Sequence, residues 1–89
     1  MKTYAQRLLE LEKNYKPAST FFTSKLEAEQ VEKTLGLNEL NDFELQNMRD
    51  MTVMFFGSRA DDNDMDAWNK MMSITAVIDH IKWDRGLAV

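Results

Sequence analysis

Three times in its first half this chain places a small polar residue three positions ahead of Gln or Glu: Thr3-x-x-Gln6, Ser24-x-x-Glu27 and Asn41-x-x-Glu44. In such a pair each side chain can accept from the backbone N–H of the other residue, so two free donors of a helix start are satisfied together. Apolar residues at three- and four-residue spacing follow each pair, which commits the chain to amphipathic helices. Only three glycines and one proline interrupt 89 residues, and Leu, Met, Glu, Lys and Asp dominate the rest. The expected fold is an all-α bundle of three to four helices in one domain spanning 1–89. Its wide apolar faces favour a homo-oligomer.

Tyr4, Leu8, Leu11 and Tyr15 line one face of the first helix, widened by Ala5 and Leu9, and Pro17 stops it. The stretch from Ser19 to Ser24 reads as the entry to a second helix. Leu26, Ala28, Val31 and Leu35 form the apolar side of that helix, Glu27, Glu29, Glu32 and Lys33 its solvated side, and Gly36 its left-handed end. Residues 37–40 read either as a short connection or as a kink, so 24–56 is one bent helix or two. A third stretch from Asn41 to Phe56, closed by Gly57, carries Phe43, Met48, Met51, Val53, Met54, Phe55 and Phe56. Residues 58–63 are expected to form a polar loop. The last helix runs to about Arg85 with two neighbouring stripes. One is Met71, Ile74, Ile78 and Ile81; the other is Met65, Trp68, Met72, Ala76 and Trp83. Two stripes exceed what one helix contact needs, so this helix is expected to be central or to form a subunit interface.

Charge is polarised along the chain. Lys2, Arg7, Lys13, Lys16 and Lys25 outnumber Glu10 and Glu12 in residues 1–25, net +3, whereas residues 26–66 carry three basic against eleven acidic side chains, net −8. The overall charge of −4 argues against general nucleic-acid binding, which draws on clustered Lys and Arg. No apolar run approaches the ~20 residues that cross a bilayer, and no secretory h-region opens the chain. The absence of cysteine fits a reducing compartment. A cytoplasmic location without membrane contact is expected, in the host cytoplasm if the chain is phage-encoded.

Chemical signatures are scarce. Read from Asp62, a calcium loop would need Gly and Glu where the chain has Ala67 and Ser73, so the acidic run 61–66 reads as a helix start favoured by the macrodipole. One histidine, His80, cannot build a multi-histidine metal site; with Asp84 it forms an ordinary i,i+4 surface pair. Phosphate loops, nucleophile elbows and dinucleotide fingerprints are all missing. No enzyme, cofactor or metal is expected. Met48, Met51, Met54, Met65, Met71 and Met72 read as adaptable core filler or as part of a binding surface.

The break Asn14-Tyr15-Lys16-Pro17 sits in the basic region, and its ring has two readings. It can stack on a planar ligand, with Lys13, Lys16 or Lys25 offsetting phosphate and Ser19, Thr20, Thr23 and Ser24 offering hydroxyls. It can instead pack against Pro17 and Phe21, pinning the first helix to the second. Tyr15-Lys16-Pro17 and Lys25-Leu26-Glu27-Ala28, with a looser match from Ala67-Trp68 through Ile81, resemble the small helical phage proteins that sequester cyclic oligonucleotides to defeat bacterial CBASS immunity. That resemblance implies a helical oligomer, hexameric in the family, with cyclic di- or trinucleotides held between subunits. Tyr15 would then stack on a base, Pro17 would shape the pocket, and Lys25 would lie near phosphate; Lys16 is counted with these three among the expected ligand-binding residues.

The function expected first is therefore a non-enzymatic sponge for a cyclic oligonucleotide second messenger. The alternative is an acidic helical inhibitor or adaptor that docks a basic surface of a host protein through Glu27, Glu29 and Glu32. A structural oligomer without ligand is the third reading.

Overall fold

A computed structural model describes residues 2–17 and 24–87. Four α-helices carry the fold: α1 (Tyr4–Asn14), α2 (Lys25–Leu35), α3 (Asp42–Asp61) and α4 (Met65–Asp84), with a single 3₁₀ turn at Leu37–Glu39 between α2 and α3. The all-α bundle expected from the sequence is what forms.

All three capping boxes close reciprocally. The Thr3, Ser24 and Asn41 side chains accept from the backbone N–H of Gln6, Glu27 and Glu44, whose own side chains accept from the cap residues. Helix α2 ends at Gly36 in the left-handed region, φ +65°, so 24–56 is two helices joined by a turn rather than one bent helix. The end expected at Gly57 is corrected: α3 runs through it to Asp61, and the expected polar loop contracts to residues 62–64. Gly57 keeps a helical backbone, and the left-handed position falls instead on Asn63, φ +68°. Beyond Gly57 the next turn is held by Arg59, which lies over the Phe55 and Phe56 rings and reaches Glu12 of α1 at 2.6 Å.

Helices α3 and α4 form an antiparallel hairpin whose register is marked at the end away from its turn by Arg49–Asp79 (2.8 Å), Lys82–Gln46 (2.6 Å) and Arg85–Asp42 (3.3 Å). Helices α1 and α2 form the second hairpin, tied by Arg7 donating to the Leu35 carbonyl (3.0 Å) and Gln30 to that of Asn14 (3.3 Å). Helix α1 also packs on α3 and α2 on α4, which closes the ring of four. Leu8, Leu11, Val31, Leu35, Leu45, Met48, Phe56, Ile74 and Ile78 fill its centre. Leu26, Phe43, Val53 and Met54, read as apolar positions of their helices, are exposed.

The glycines give opposite predictions. A Cβ at Gly36 would sit 3.4 Å from the Arg7 guanidinium and on a left-handed backbone. Gly36→Ala is expected to cost about 1–2 kcal/mol in chemical denaturation. Gly57 is helical with nothing within 4 Å of an added Cβ, so Gly57→Ala is expected to stabilise by roughly 0.5–1 kcal/mol.

Candidate binding face

Tyr15 faces the core. It follows the last turn of α1, where its N–H donates to the Leu11 carbonyl at 2.9 Å, and the stripe Leu8–Leu11–Tyr15 carries its ring inward with 1% exposure. A buried phenol needs a partner for its hydroxyl, and the Ser73 hydroxyl on α4 supplies it. Burial pushes the Tyr15 pKa above 10.0; the Ser73 bond pulls the other way, and the Glu27 carboxylate adds to the rise. The stacking role expected for this ring is corrected on that ground: in this fold its faces are covered by the chain itself. Lys16 is exposed and Pro17 half-buried beside it. The hydroxyls of Ser19, Thr20 and Thr23, the expected helix entry at 19–23 and the Phe21 contact lie outside the described residues.

Lys25 is separated from Tyr15-Lys16-Pro17 in the surface it serves. Exposed at the start of α2, it lines a cleft of about 420 Å³ between α2 and α4. Ala28, Ala76 and Val77 line it too, with His80, Glu29 and Glu32, and none of Tyr15, Lys16 and Pro17 does. A second cleft of about 360 Å³ lies where the chain turns at Gly36 and is bounded by Glu29, Glu32, Lys33, Asn38 and Glu39. Glu29 and Glu32 are thus a ridge shared by both clefts. Around the second cleft three carboxylates stand against one ammonium. The C-terminal end of α2 points there as well, and its partial negative charge deepens the same field.

Glu27 is not part of that ridge. Its carboxylate accepts from the Ser24 backbone at 2.8 Å, which sets it apart from Glu29 and Glu32, whereas Glu39 borders the second cleft with them. The acidic run before α4 serves the helix start: Asp64 accepts from the Ala67 N–H at 3.1 Å, and Asp66 pairs with Lys70 at 2.8 Å. Among the described residues no group of three or more His, Asp or Glu side chains is placed to hold a metal ion. His80 and Asp84 pair at 3.4 Å on the exposed side of α4. No described helix is long and apolar enough to cross a membrane.

The methionines divide. Met48 is buried and Met51 and Met71 pack against the core, whereas Met54, Met65 and Met72 are exposed. No protein-family model matches this chain, and no curated protein or solved structure matches it either.

Proposed function

We propose that this protein is a non-enzymatic inhibitor or adaptor that docks a basic surface of another protein. The observation that carries this reading is the ridge of Glu29 and Glu32, continued by Glu39, standing between two open clefts. Carboxylates concentrated on a surface steer association with a cationic partner and make it salt-sensitive. Reversing Glu29, Glu32 and Glu39 to lysine is expected to abolish capture of that partner. Glu29 and Glu39 are exposed, Glu32 is half-buried at the cleft edge, and none of the three holds a cap, so thermal stability should stay close to that of the native chain.

Sequestration of a cyclic oligonucleotide is the second reading. It is supported by the resemblance at Lys25-Leu26-Glu27-Ala28, and by Lys25 and His80 lining a cleft within the ~300–1,000 Å³ range of small-molecule sites. The two readings respond to charge with opposite sign. Glu29→Lys with Glu32→Lys removes repulsion of phosphate, so a cyclic oligonucleotide that occupies this cleft binds the variant more tightly. A partner protein that needs the ridge is lost by the same variant. Calorimetry with cyclic di- and trinucleotides is expected to give no heat with the native chain; saturable heat would put the second reading first.

A further inference from the structure

The outward side of α4 carries a line of apolar residues that the described chain leaves partly or largely uncovered. Met65, Trp68, Met72 and Trp83 are 62%, 39%, 38% and 72% exposed, and Ala76 between them is exposed as well. Their spacing keeps them within one stripe, opposite the Ile74–Ile78–Ile81 stripe that packs in the core. A contiguous apolar surface of this kind marks an interaction site.

We propose that this stripe is covered by α4 of a second copy of the chain, the two helices running antiparallel about a twofold axis beside residue 74. Four of its five members exchange places about that point, and Trp68 meets His80. Met65 mirrors Trp83, Trp68 mirrors His80, Asn69 mirrors Asp79, and Met72 mirrors Ala76. A twofold contact requires this self-complementarity, because each position meets its mirror position on the other copy. At the centre a large side chain meets a small one, which lets helix axes approach to roughly 8–10 Å. Along the stripe, Asp79, already paired with Arg49, falls opposite the neutral Asn69. A parallel pair would set Asp79 on Asp79 and Trp83 on Trp83. At these exposures the stripe offers on the order of 500 Å² of apolar surface per copy before flanking residues are counted, against roughly 800 Å² per partner in a stable complex.

This contact is apolar and the acidic ridge is ionic, so salt separates the two proposals. Sedimentation equilibrium of the full chain is expected to give twice 10.4 kDa, unchanged in ~1 M salt, where charges are screened within about 3 Å. Trp68→Glu combined with Trp83→Glu should give the mass of one copy with unchanged far-UV circular dichroism. The chain has no cysteine, so introduced thiols report geometry. Under mild oxidation Met65→Cys mixed with Trp83→Cys should form a linked heterodimer. Trp83→Cys alone should not, because antiparallel helices hold the two copies of residue 83 about 27 Å apart at ~1.5 Å per residue. A native chain of single-copy mass overturns the proposal, as it would if another protein covers the stripe. Self-linking of Trp83→Cys, or a double Glu variant that keeps the mass of two copies, overturns it as well.

Discussion

Replacing Tyr15 with alanine is expected to unfold much of the protein rather than to remove a ligand contact. The ring is 1% exposed and closes the core at the end of α1. Truncating a buried aromatic of this size costs about 3–5 kcal/mol, most of what a short domain has when whole domains hold roughly 5–15 kcal/mol. Tyr15→Phe keeps the ring and loses the hydroxyl bond to Ser73, for about 1 kcal/mol. The pair of variants therefore separates packing from hydrogen bonding. Alkaline pH gives an independent readout. Unfolded tyrosine loses its proton near 10.0, whereas buried Tyr15 holds it to higher pH. The unfolded state then binds fewer protons, so stability that is complete below pH 10 falls as pH rises through the folded pKa. Denaturant titrations across that range should show a steeper alkaline loss for the native chain than for Tyr15→Phe. Tyr15→Ala with native helicity and an unchanged unfolding midpoint would contradict the core placement.

Phe56→Ala is expected to cost a comparable 3–5 kcal/mol and to loosen α1 as well. Phe56 is fully buried in α3, and its ring centroid lies 4.9 Å from that of Phe55, nearly perpendicular at 76°. Arg59 sits over both rings, at 5.5 Å from Phe55 and 5.2 Å from Phe56, and from there reaches Glu12 on α1. Removing the Phe56 ring takes away one platform on which the guanidinium rests, so amide exchange in α1 should accelerate along with that of α3. Glu12→Gln breaks only a partly exposed ion pair and should cost under about 1 kcal/mol. If Phe56→Ala cost no more than Glu12→Gln, the ring would not be the element that joins α3 to α1.

The starts of the helices were legible because a capping box is a local object: both partners lie within one turn, and the sequence shows both. The ends were less so. Gly57 resembles a helix stop, yet a glycine ends a helix only where the backbone turns left-handed, and here that happens at Asn63. The periodicity of α4 displayed two apolar stripes but not which one faces the core, since that depends on where α2 and α3 lie. Tyr15 was half legible. Its spacing from Leu8 and Leu11 pointed inward, while the hydroxyl partner that makes burial tolerable, Ser73, is 58 positions away. Glu39 joins Glu29 and Glu32 only because Gly36 folds the chain back beside α2, a placement that charge counting along the sequence does not contain.

Tyr15 closes the core at the end of α1, and the docking role proposed for this protein falls on Glu29 and Glu32 of α2 and Glu39 in the turn that follows. Capture from a lysate of the cells this protein comes from, read by quantitative mass spectrometry, tests that assignment most directly. Four immobilised chains are compared: native, Glu29→Lys/Glu32→Lys/Glu39→Lys, a control reversing Asp61, Asp62 and Asp64 to lysine, and Tyr15→Phe. The account predicts one protein enriched on the native chain, on the Asp61/Asp62/Asp64 control and on Tyr15→Phe, released by salt and absent from the triple Glu variant. Equal capture by the triple Glu variant, or loss on Tyr15→Phe alone, would contradict it.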